Sequence, residues 1–66
     1  MTISETAADL FNYYLSHLAL GLTATKRESE LAKEFAINHC DRIISYIKDA
    51  DSVSFWENVK KVLSGY

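Results

Sequence analysis

The sequence predicts a small all-helical protein: a three-helix bundle with helices over residues 3–20, 26–50 and 55–64, completed by self-association. Three observations point there. Apolar residues recur at helical spacing over three segments, and no stretch alternates as a half-buried strand would. Each segment begins with a Ser or Thr followed three residues later by Glu, at Thr2/Glu5, Thr25/Glu28 and Ser54/Glu57. In that arrangement the hydroxyl accepts from the backbone N–H of the Glu, whose carboxylate reaches back to the N–H of the capping residue. Finally, Pro is absent and the two Gly, Gly21 and Gly65, stand where the first and third helices would stop.

In the first helix, steps of about 100° gather Ala7, Leu10, Phe11, Tyr14, Leu15, Leu18 and Leu22 on one arc, an ordinary core stripe. Asp9, Asn12 and Ser16 lie opposite, while Tyr13, His17 and Leu20 fall beside the core arc. In the second helix, Ala32, Phe35, Ala36, His39, Ile43, Tyr46, Ile47 and Ala50 share a face. Ile37 and Ile44, one heptad apart, form a second apolar row on its flank, with Cys40 between that row and the core stripe. The turn is expected at Asp51-Ser52-Val53-Ser54, after which Phe55, Val59, Val62 and Leu63 make the buried face of the third helix, with Trp56 at its edge.

At 66 residues the chain is one domain. Its hydrophobic content of 48% excludes a disordered tail, and the lack of a long apolar run excludes a membrane span. The first residues lack the basic start and apolar stretch of a signal peptide, and the lone Cys40 allows no intrachain disulfide, so a cytoplasmic location is expected. The net charge of −2 has the wrong sign for a typical DNA binder. It is unevenly spread: Glu5 and Asp9 are the only charged residues before Lys26, and all seven Lys and Arg lie from Lys26 onward.

Chemistry is hard to place on this chain. His39-Cys40-Asp41 suggests a metal or thiol site, but adjacent helical residues point about 100° apart and do not converge on one ion. Cys40 reads as a small packing residue and His39 as a core histidine with a hydrogen-bonded ring. Phosphate loops, zinc-protease motifs and nucleophile elbows are all missing. The expectation is therefore a protein without enzymatic activity, catalytic residues, metal, cofactor or small-molecule substrate.

What remains is surface. A chain of about 60 residues buries only about 60% of its unfolded area and gains from covering more. Tyr and Trp, favoured at interfaces, are prominent here, with four Tyr and one Trp. Tyr13, His17, Leu20, Ile37, Ile44 and Trp56 are accordingly expected to bind a protein partner, most simply a second copy in a homodimer. The function expected is a helix-mediated protein-interaction module, acting as a small adaptor, regulator or inhibitor. The alternative is a small nucleic-acid-associated regulator using Lys26/Arg27 and Lys60/Lys61.

Overall fold

The computed structural model describes residues 2–19 and 25–66. Among them all regular structure is helical: α1 (Ile3–Ala19), α2 (Lys26–Tyr46) and α3 (Ala50–Ser64). The short connections make consecutive helices antiparallel, and each helix packs on both others.

The first two capping boxes form as expected. The Thr2 N–H donates to Glu5 Oε1 at 2.9 Å and the Glu5 N–H to Thr2 Oγ1 at 3.1 Å. Thr25 and Glu28 exchange the same pair of bonds, both at 3.2 Å. The third box does not form. α2 ends at Tyr46 rather than at residue 50, and α3 starts at Ala50, so Ser54 lies inside the helix. The cap is Asp49, whose carboxylate accepts from the Ser52 N–H at 2.9 Å. A Ser-x-x-Glu spacing satisfies no orphan amide inside a helix, whereas Asp at the true start does. Gly65 closes α3, donating to the Val62 carbonyl at 3.0 Å. Gly21 and Leu22 lie outside the described residues.

The core is built around small residues. Ala7 of α1, Ala36 and Cys40 of α2, and Val59 and Leu63 of α3 are fully buried together. Ile3, Leu10, Phe11, Tyr14, Ile37, Phe55, Trp56 and Val62 pack around them. On α2 the buried line is Ala32, Ala36, Cys40, at i, i+4, i+8. This is a rotation from the expected stripe, because Phe35 and Tyr46 are exposed. The reason is that α2 sits between two neighbours. Where helices approach most closely only small side chains fit, and the large ones are displaced to the flanks. Thr6, also buried, donates its hydroxyl to the Thr2 carbonyl at 2.9 Å.

The bundle measures 39 × 20 × 17 Å, with a radius of gyration of 12.2 Å against about 11 Å for a compact chain of this length. It is a short rod, with a large share of its residues on the surface.

Candidate functional site

The residues expected to bind a partner are placed very differently. Tyr13 is 57% exposed and His17 is exposed beside it. Ile37 and Trp56 are half-buried against the chain's own core, and Trp56 meets Phe55 edge-on with ring centres 5.4 Å apart. Ile44 is half-buried as well. Leu20 lies outside the described residues. The intended surface is thus divided: Tyr13 and His17 face solvent on α1, while Ile37 and Trp56 give much of their apolar area to the core.

Around Tyr13 the structure assembles a continuous aromatic cluster across the α1–α2 seam. The Tyr13 ring lies over His17, one turn on, with centres 4.5 Å apart. It meets Tyr14 edge-on at 5.2 Å. Tyr14 crosses to α2, where its ring is 5.8 Å from Phe35 and 6.2 Å from His39. Its hydroxyl lies 3.2 Å from His39 Nδ1, and donates to it when the imidazole carries its proton on Nε2. His17 is anchored separately, with Nδ1–H donating to the Tyr13 carbonyl at 2.7 Å.

The same face continues along α2. Phe35, His39, Arg42 and Tyr46 fall within an arc of about 60°. Phe35 is 43% exposed and Tyr46 84%, so the seam carries three large exposed aromatic side chains counting Tyr13. Sequence periodicity assigned Phe35 and Tyr46 to the core. The signal pointing elsewhere was the Ala32-Ala36-Cys40 line, since a row of small residues at i, i+4 marks the closest helix approach better than the bulkiest stripe does.

The other side of α2 is occupied. Asp41, about 120° round from Phe35, pairs with Lys60 of α3 at 2.7 Å, which holds the Lys60 ammonium above its usual pKa. Lys60 is therefore engaged with an acid. Lys26 and Arg27 open α2 some fifteen residues from Asp41, about 22 Å along the helix, so the two basic pairs do not form one patch. Cys40 is fully buried, and that burial pushes its thiol pKa up, away from the thiolate a nucleophile needs. No group of three or more His, Cys, Asp or Glu among the described residues is placed to hold a metal ion. None of the described helices is long and apolar enough to cross a membrane.

Fold and surface together define a three-helix chain whose described residues include an exposed aromatic seam. Compared with known proteins, it matches no family model, no curated protein and no solved structure.

Proposed function

We propose that this chain is a non-enzymatic protein-interaction module that docks another protein chain on the α1–α2 seam. One observation carries the reading: Tyr13 and Phe35 stand exposed on the same seam, linked through Tyr14, with Tyr46 exposed further along the same face of α2. Tyr and Phe on a fixed scaffold combine large contact area with little rotamer entropy to lose, as is usual of binding hot spots. The cluster holds the Tyr13 and Phe35 rings in place before any partner arrives, which lowers the ordering cost of association.

The test is a triple variant, Tyr13→Ser, Phe35→Ser and Tyr46→Ser, compared with the wild type by native sedimentation in lysate. All three positions are exposed, so the helical circular dichroism should be kept. The expected result is that the wild type sediments in complexes that the variant loses. A variant that stays in the same complexes would overturn the seam as the docking surface.

A further inference from the structure

We infer that the occupant of the seam is a second copy of this chain, packed lengthwise about a two-fold axis parallel to the helices, so that α1 of each protomer lies on α2 of its partner. This rests on the docking function proposed above and specifies its partner and geometry.

Charge selects the pairing. α1 carries two acids, Glu5 and Asp9, and no Lys or Arg. The seam side of α2 carries Arg42, between His39 and Tyr46. Asp9 lies five residues before Tyr14 and Arg42 three residues after His39. Because α1 and α2 are antiparallel, both are displaced the same way along the axis from the Tyr14–His39 contact, by about 7 Å and about 4 Å. Both are exposed, and Lys60–Asp41 is the one ion pair among the described residues. A two-fold axis parallel to the helices carries the Asp9 end of each α1 over the Arg42 end of the partner's α2, twice. The crosswise alternative, α1 on α1, would set the two acidic helices against each other.

Area selects the direction. Each partner of a stable pair contributes roughly 800 Å². A face 39 Å long by 20 Å wide reaches that only when two rods are aligned along their length. Crossed rods would share about half of it. Lengthwise packing also makes every neighbouring helix pair antiparallel, four helices deep across the interface, and sets Tyr13 of one copy toward the Phe35–His39 stretch of the other.

The decisive experiment is a charge exchange, read by sedimentation equilibrium of the purified chain with circular dichroism as a check on folding. The wild type is expected as a dimer. Asp9→Arg and Arg42→Asp should each weaken it at least fivefold, and the double exchange should bring the dissociation constant back to within about threefold of wild type. Equal weakening in the double variant and the singles, or no effect of either single, overturns the geometry. As a second measurement, a chain carrying Asp9→Cys mixed with one carrying Arg42→Cys should form a mixed disulfide on oxidation, faster than either chain with itself. Failure to do so also counts against the lengthwise pair. A wild type that stays monomeric overturns the second copy as occupant. The docking reading fails separately, when the triple seam variant keeps the wild-type complexes in lysate.

Discussion

The Tyr14 hydroxyl and His39 Nδ1, twenty-five residues apart in sequence, lie 3.2 Å apart and tie α1 to α2 inside a continuous run of rings. The bond orients both sides of the seam, because Tyr13 packs edge-on against Tyr14 and Phe35 lies against its ring. Tyr14→Phe keeps the packing and removes the bond. It should cost about 0.5–1.5 kcal/mol in urea unfolding, the usual net worth of such a hydrogen bond. Tyr14→Ala, which also opens a hole beside Phe35, should cost clearly more. Equal losses for the two variants would show that the ring packing adds nothing beyond the hydroxyl, and no loss in Tyr14→Phe would show that the hydroxyl contributes little.

Cys40 should be silent to thiol reagents in the folded protein. It is fully buried, and burial raises its pKa and disfavours the thiolate. Labelling should therefore follow the unfolding equilibrium, and stabilising conditions should slow it. Fast modification of the native chain would contradict this placement. Larger side chains should fit badly here: Ala36→Leu, introduced at a fully buried core position, should destabilise by about 1–3 kcal/mol.

Among the described residues Leu63 is the largest fully buried side chain, in the core from α3. Leu63→Ala should cost about 2–5 kcal/mol, by lost transfer energy and the cavity left behind. Total stability for a domain of this size is on the order of 3–10 kcal/mol. A loss of that order is therefore expected to leave a visible unfolded fraction by circular dichroism at 25 °C.

Asp49 sets the start of α3, and its cap depends on pH. The Ser52 N–H bound to its carboxylate holds its pKa below the ordinary value, as the bonds from Thr2 do for Glu5. A pKa lower in the folded chain than in the unfolded one means stabilisation present above the unfolded value and lost as pH falls through the folded one. Helical signal should thus weaken in acid, below about pH 4. Asp49→Asn retains a capping oxygen without the titration and should remove the Asp49 share of that acid sensitivity. Asp49→Ala should lower the melting temperature by about 4–8 °C, and Ser54→Ala should do far less. The reverse order would put the helix start back at Ser54.

That reversal would also restore the boundary the sequence suggests. Thr2/Glu5 and Thr25/Glu28 were legible because each stands ahead of an apolar pattern with nothing helical before it. Ser54/Glu57 has the same spacing but falls inside α3, and Ile47-Lys48-Asp49 contains no Gly or Pro to announce that α2 has ended. The α1 core stripe was legible for a similar reason, since Ala7, Leu10, Phe11 and Tyr14 all face one side. On α2, periodicity puts Ala32 and Ala36 on one face with Phe35 and Tyr46, and alone could not show that Cys40, rather than the two aromatics, completes the buried line. A helix with neighbours on two sides has apolar residues over much of its circumference, and tertiary packing decides which become the seam. Tyr13 and His17 were readable as off-core, whereas the bridge through Tyr14 to His39 depends on the register of two helices that no local pattern encodes.

The mass of the purified chain in solution is the most direct measure of whether this seam meets a second copy. Sedimentation equilibrium at micromolar to hundred-micromolar concentration should return twice the 7.5 kDa chain mass, falling to a single chain when Phe35 and Tyr46 are replaced by Ser. A mass of 7.5 kDa across that whole range, unchanged by the substitutions, would contradict it.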